Sequence, residues 1–296
     1  MSDPTDLRTH SFCDSSGGRV DVCLPFDLDT LCAEYDALTA RMARHPAPEG
    51  FSRAEWGYLL SFMRGAALRS VFTQSFGPVC AALADPPAQI LHPPSNIAVW
   101  LPNNVSLLGP LVTVLSLLSG ADVRAKAGAR SENLTARLRD TILQTGAGPE
   151  LTRLWEQALV TERFDRADPR NARWSGNADA RIFFGGDAAA AEVAALPHRP
   201  GAPFFGFGHR QSLAWADPDA LTDAALETFL RVFQIYGKAG CTSPQRLVLI
   251  GGTPAHCVAL ADKLVALYQR LTFGAPPVHI ASDSFMAEQV ARARGW

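Results

Sequence analysis

Cys241 is the residue whose surroundings best fit a nucleophile. It lies in Gly237-Lys238-Ala239-Gly240-Cys241-Thr242-Ser243-Pro244-Gln245, a glycine-flanked loop ended by a proline, with Lys238 three residues away. Small polar neighbours and a nearby cation lower a thiol pKa, and the thiolate is the reactive form. Cys257 follows His256 directly, and adjacent helical residues do not face each other, so this pair reads as packing rather than as a dyad. Three other turns could serve a ligand. In Pro102-Asn103-Asn104 an amide could cap the following helix or donate to an oxyanion. Lys126 ends a short predicted strand and is one of only three lysines among 27 basic residues; its alternatives are a surface charge or a ligand contact. Gly185-Gly186-Asp187 delivers two glycines to a helix start, which suits either a tight turn or the approach of a phosphate to backbone N–H groups.

These turns fall between elements of alternating type. Asn96–Leu101, Ala121–Ala125, Ala180–Phe184, Pro203–Phe207, Ser212–Ala216 and Arg246–Ile250 read as short strands. Helical periodicity occupies Val105–Ser119, Asn133–Gln144 with Ser131 as its cap, Glu150–Val160, Ala188–Leu196, Ala220–Tyr236 and Pro254–Leu271. Strands alternating with helices predict an α/β fold with a mostly parallel sheet covered on both faces, whose ligands sit beyond the carboxyl ends of the strands. The first 90 residues differ. A hairpin turn around Ser15-Ser16-Gly17-Gly18 precedes two helical stretches, Leu28–Ala43 and Arg53–Leu83, the second opened by a Ser52/Glu55 capping box.

Composition narrows the function classes. With 47% hydrophobic and 19% charged residues the chain has the makings of a folded core rather than of disorder or a coiled coil. A net charge of -2 with scattered basic residues gives no footprint for nucleic acid. The longest apolar run, Val105–Leu118, is interrupted by Gly109 and Pro110 and is shorter than the roughly 20 residues of a membrane span. The six cysteines show no CxxC pair and the seven histidines no HExxH, so free thiols, no metal site and a cytoplasmic setting are expected.

Taken in order, these segments resemble the aldehyde dehydrogenase superfamily, and within it the acyl-CoA reductase branch typified by the fatty acyl reductase of bacterial luciferase systems (LuxC). Pro102-Asn103-Asn104-Val105-Ser106-Leu107-Leu108 is similar to the turn whose asparagine donates to the thioester oxyanion, which implies that role for Asn104. Gly120-Ala121-Asp122-Val123-Arg124-Ala125-Lys126 resembles the strand whose final basic residue contacts the adenosine ribose, implying Lys126. Phe184-Gly185-Gly186-Asp187 resembles the turn beneath the cofactor pyrophosphate, implying Gly185 and Gly186, and Gly208-His209-Arg210-Gln211-Ser212 resembles the branch's glycine-lysine-serine segment. Cys241-Thr242-Ser243-Pro244 is similar to the branch's nucleophile signature.

The resemblance implies an aldehyde-dehydrogenase-like, Rossmann-type parallel sheet with helices on both faces, a helical N-terminal preamble (residues 1–94), a nicotinamide-cofactor domain (95–236) and a truncated catalytic domain (237–296). It further implies reduction of an acyl-CoA or acyl-carrier thioester to the aldehyde through a Cys241 acyl-enzyme, with NADPH as cofactor and NADH as the alternative. A homo-oligomer and an acyl-activating or acyl-transferring partner protein belong to the same expectation. Hydrolytic members carry a glutamate base at the segment that here reads Phe205-Gly206-Phe207-Gly208. Hydrolysis of an acyl-enzyme needs such a base and hydride reduction does not, which favours the reductive direction. Two other readings remain open: a non-catalytic homologue acting as a binding or assembly subunit, and a cysteine acyltransferase or thioesterase.

Overall fold

A computed structural model describes residues 7–15, 18–80, 89–105, 107–129, 131–208, 212–233, 243–271 and 289–290. The chain divides into two compact units, residues 1–208 and 209–296. The first unit opens with β1 (Arg8–Cys13) and β2 (Arg19–Leu24), antiparallel across the expected hairpin. Then follows α1 (Leu28–Met42), capped by the Asp27 side chain on Thr30 N. Its buried residues Leu28, Leu31, Tyr35, Leu38 and Met42 recur every three to four positions, which gives it one apolar face. The single helix expected over Arg53–Leu83 is instead two, α2 (Arg53–Phe62), opened by the Ser52/Glu55 capping box, and α3 (Gly65–Phe76). The chain breaks at Arg64, whose extended backbone starts a second helix. β3 (Gln89–Leu91) then pairs parallel to β2, so the preamble contains a three-stranded sheet as well as helices.

The end of α3 explains a second correction. Gly77 has φ +92°, and a Cβ there would lie 1.9 Å from the Cys13 carbonyl oxygen. Only glycine turns the chain there so that Cys13 N donates to Pro78 O (2.8 Å) and Cys80 N to Ser11 O (3.1 Å). This short pairing sets the Cα atoms of Cys13 and Cys80 5.2 Å apart, and the two form a disulfide rather than the expected free thiols. Cys23 and Cys32 are buried thiols and Cys257 is an exposed one.

The main sheet has five strands, all parallel, in the order β6-β5-β4-β7-β8. They are β4 (Asn96–Trp100), β5 (Asp122–Lys126), β6 (Leu159–Glu162), β7 (Ala180–Phe184) and β8 (Phe204–Phe207). The crossovers are α4 (Leu108–Leu118), α5 (Leu134–Thr145), α6 (Pro149–Thr152) continued by a π-turn over Arg153–Gln157, α7 (Arg170–Asn177) and α8 (Asp187–Ala194). Side chains alternate across β4. Ala98 and Trp100 join Phe164, Trp174 and Phe183 in one core beside α7 and α8, while Ile97 and Val99 are buried on the opposite face. The sheet is anchored at its amino edge by Asp179, whose Oδ2 accepts from Ser95 N and Asn96 N (2.8 and 2.9 Å).

Three expectations change here. The helix foreseen over Glu150–Val160 ends in the π-turn, because Leu159–Glu162 pairs with Val123–Lys126 as β6. α7 was not foreseen at all. The cap of α5 is Asn133, whose Oδ1 accepts from Ala136 N, and not Ser131.

Arg181, on β7, is 3% exposed and has no carboxylate within 4.0 Å among the described residues. Its Nη1 donates to Ser175 Oγ, Val193 O and Ala194 O, each at 3.3 Å. These acceptors lie at the carboxyl ends of α7 and α8, where helix dipoles place negative potential, so the two helix ends hold the buried cation. Arg181→Met should therefore lower stability by about 1–3 kcal/mol, by leaving these acceptors without their donor. A urea midpoint that does not move would contradict this account.

The second unit is described by β9 (Ser212–Ala216) and β10 (Pro244–Leu249), which pair in parallel, and by α9 (Asp223–Phe233) and α10 (Pro254–Arg270). The helices meet through Leu226, Leu230 and Leu267, and Lys263 bonds Asp223 at 2.7 Å. No helix among the described residues is long and apolar enough to cross a membrane.

Candidate functional site at the carboxyl edge of the parallel sheet

The strand order reverses about β4: the chain moves outward through β5 and β6, then returns to add β7 and β8 on the other side. Crevices at such a reversal are where open parallel sheets bind ligands. Four strand residues mark the edge, in register as Trp100 with Lys126 and Phe183, and Lys126 with Glu162.

Asn104 lies in the bend between β4 and α4 and is exposed. The first helical turn of α4 is preceded by Leu107, and no side chain among the described residues caps it there. The bend is held against the β5 end: Leu101 N donates to Lys126 O at 2.9 Å, and a Cβ on Gly128 would meet Asn103 Oδ1 at 2.5 Å and Pro102 O at 2.6 Å. Gly128 is thus required by the close approach of the two turns. Beneath them a cavity of about 10 Å³, the size of one water, is lined by Pro102, Val105, Ser131 and Thr135. A larger cavity, about 520 Å³, lies between α1, α2 and the carboxyl end of α5. It borders no strand end.

Lys126 closes β5 with its Nζ 5.2 Å from the centroid of the Phe164 ring. Burial pushes its pKa down, partly offset by the fields of Asp165 and Asp168. No carboxylate lies within 4.0 Å of it among the described residues. A partly desolvated ammonium without an ion-pair partner is a receptor for an anion.

Gly185 and Gly186 end β7 and open α8. A Cβ on Gly185 would lie 2.7 Å from the Phe183 ring, so packing accounts for this glycine. Gly186 has open space where a Cβ would stand, and no side chain among the described residues caps α8, the arrangement in which first-turn N–H groups can take an anion. Asp187 opens the first turn, and a Cβ on Gly208 would meet its Oδ1 at 2.3 Å. Asn104, Lys126 and the glycine pair thus share one edge of one sheet. Cys241 lies outside the described residues, as do residues 209–211.

Sequence reasoning missed the loop from β6 to α7. Asn171 is buried, accepts from Trp100 Nε1 at 2.9 Å, and donates to the carbonyls of Asp165, Arg166 and Asp168 at 2.9–3.1 Å. It moulds the loop that carries Phe164 and Arg170. The signal available in the sequence was the sign-alternating run Glu162-Arg163-Phe164-Asp165-Arg166-Ala167-Asp168-Pro169-Arg170.

The fold is that of aldehyde dehydrogenases. The chain is similar to proline utilization A from Corynebacterium freiburgense, with TM-score 0.57, 15% identity, and coverage of 83% of this chain and 25% of that one. It is similar to the succinate-semialdehyde dehydrogenase of Burkholderia pseudomallei, with TM-score 0.56, 17% identity, and coverage of 83% and 50%. It is also similar to an NAD-dependent aldehyde dehydrogenase of Sinorhizobium meliloti, with TM-score 0.53, 14% identity, and coverage of 84% and 48%. The chain therefore spans half or less of the length of these structures. No curated protein matches the chain by sequence. The sequence model of the acyl-CoA reductase (LuxC) family matches residues 84–284, which include both the parallel sheet with its carboxyl edge and the Cys241 loop. This chain belongs to the LuxC acyl-CoA reductase family.

Proposed function

We propose that the protein takes part in the NADPH-dependent reduction of an acyl-CoA or acyl-carrier thioester to the aldehyde, with residues 95–236 as the cofactor domain and 237–296 as a part of the catalytic domain. The observation that supports this most is the gathering, at the carboxyl edge of one parallel sheet, of the Asn104 bend, the Lys126 ammonium and the α8 start, the last two without an ion-pair partner or a side-chain cap among the described residues. Lys126 would meet the adenosine ribose end of the cofactor, and Gly185 and Gly186 its pyrophosphate. When bound, the nicotinamide supplies the hydride.

The protein's own groups do the rest. The Cys241 thiolate attacks the thioester carbonyl, Asn104 donates to the oxyanion, and the carbonyl re-forms as the carrier thiol leaves with a proton. After reduction, the Cys241 thiohemiacetal releases the aldehyde and returns the thiol to its resting state. β8 carries no acid, so nothing there activates water against the acyl-cysteine. The proposed setting is the cytoplasm, where the Cys13–Cys80 bridge would stand against a reducing poise. The proposed assembly is a homo-oligomer supplied by an acyl-activating or acyl-transferring protein.

Tritiated acyl-CoA tests the reading. Covalent label that is discharged on adding NADPH is the expected result. Protein that never labels would fit a binding or assembly subunit, and label lost without nicotinamide an acyltransferase or thioesterase.

A further inference from the structure

We infer that Arg170 sets the dinucleotide preference of the site by withdrawing two carboxylates from the ribose end of the cleft, which leaves Lys126 free for the 2′-phosphate of NADPH. The inference rests on the proposed function, which puts the adenosine ribose beside Lys126.

Lys126 and Glu162 are the last paired residues of neighbouring parallel strands, so their side chains leave the same face of the sheet side by side. A carboxylate in that place is what a ribose diol prefers, whereas a 2′-phosphate prefers a cation and is repelled by an acid. Glu162 is not left to either use. Arg170 Nη1 donates to its Oε2 at 2.6 Å. The same guanidinium holds Asp168 by two bonds, Nη2 to Oδ2 at 2.7 Å and Nε to Oδ1 at 3.0 Å, and its backbone N–H adds a third at 2.8 Å. Its Cζ lies 4.3 Å from the centroid of Phe164, the ring that Lys126 also approaches. One arginine therefore pairs with Glu162 at the end of β6 and with Asp168 in the following loop and packs on an aromatic anchor, while the lysine beyond the ring has no carboxylate within 4.0 Å among the described residues and keeps only the more distant field of Asp165 beside that of the paired Asp168. Arg170 is a positioning residue, since it acts through Glu162 and Asp168 rather than on the ligand.

Binding of NADPH and of NADH, each titrated by nicotinamide fluorescence in the absence of acyl substrate, reads the effect. Wild type should prefer NADPH, and Arg170→Ala should lower the NADPH to NADH affinity ratio by about tenfold or more, as two freed carboxylates face the phosphate. Adding Glu162→Gln and Asp168→Asn to Arg170→Ala should restore the ratio. A merely structural role would weaken both dinucleotides alike, and that result, or an unchanged ratio, overturns the inference. Should Arg170→Ala fail to fold by circular dichroism, Glu162→Gln with Asp168→Asn in the presence of Arg170 decides: the unpaired guanidinium should tighten NADPH more than NADH, and equal affinities overturn the inference. Wild type that prefers NADH overturns it and leaves the reductase reading intact, whereas wild type that binds neither dinucleotide removes that reading first.

Discussion

Replacing Cys241 by serine should abolish labelling by tritiated acyl-CoA and reduce aldehyde formation on the order of 10⁴-fold or more, the scale seen when a covalent nucleophile is lost. The reason is the difference between a thiol and a hydroxyl. A thiol ionises far more readily than an aliphatic hydroxyl, so a serine at that place would offer almost no nucleophilic alkoxide. Exchange of one thioester for another is close to balanced, so in the proposed mechanism the acyl group would move onto Cys241 and off again. Binding of NADPH should change by less than about twofold, because the substitution exchanges a single atom and touches none of the groups proposed to hold the dinucleotide. This split between lost acylation and retained cofactor binding separates removal of the nucleophile from misfolding. Cys257 is the internal control. Its thiol is exposed in the first turn of α10, whose capping box pairs Thr253 with His256, so the histidine is occupied at the helix start. Cys257→Ala should leave labelling intact. Label retained in Cys241→Ser and lost in Cys257→Ala would move the nucleophile to α10.

The β4-α4-β5 crossover was legible because each element carries its own signal: a run of buried Ile-Ala-Val-Trp, a proline turn, an apolar helix and a glycine with positive φ at its end. β6 was not. Leu159–Glu162 has four residues, half of them polar, and becomes a strand only because β5 offers it a partner. α7 reads Arg-Asn-Ala-Arg-Trp-Ser-Gly-Asn, with a single large apolar residue, so its helix depends on Trp174 meeting Phe164 edge-on at 4.9 Å. The Cys13–Cys80 bridge joins residues 67 apart whose proximity is made by Gly77, which no cysteine spacing reveals. At the candidate site, Asn104, Lys126 and the glycine pair could be picked out as turn residues, and the resemblance supplied their roles. Arg170 could not, since its meaning lies in the register that sets Glu162 beside Lys126.

Trp155→Ala should be the most damaging single change to the fold, with a cost of about 3–5 kcal/mol for the emptied core volume. Trp155 sits in the π-turn with no exposed surface, as does Leu154 beside it, and Leu151 in the preceding α6 is equally buried. Its Nε1 donates to the Tyr35 hydroxyl at 3.0 Å, and Tyr35 is fully buried on α1. Glu34, next on the same helix, accepts from the backbone N–H groups of Glu150 and Leu151 at 3.4 and 2.9 Å and so caps α6 from outside. The π-turn is thus where the N-terminal helices are fastened to the parallel sheet. The alanine variant also leaves a buried hydroxyl without its partner, a further penalty of about 1–3 kcal/mol. Against a total stability of roughly 5–15 kcal/mol, the urea transition of residues 1–208 should shift far down or vanish. Trp155→Phe keeps an aromatic ring but removes the donor and part of the indole volume, so it should cost about 1–3 kcal/mol, and Tyr35→Phe should cost a similar amount by orphaning the indole N–H. The double variant Trp155→Phe/Tyr35→Phe should cost less than the sum of the two, because no unpaired polar atom remains. A strictly additive double variant would show that the bond contributes nothing beyond packing. The contact also carries a pH signature. Burial raises the Tyr35 phenol well above its ordinary pKa near 10, so the folded state holds the proton more tightly than the unfolded one. Stability from this residue is therefore complete below about pH 10 and declines as the pH rises beyond it, and Tyr35→Phe should remove that decline.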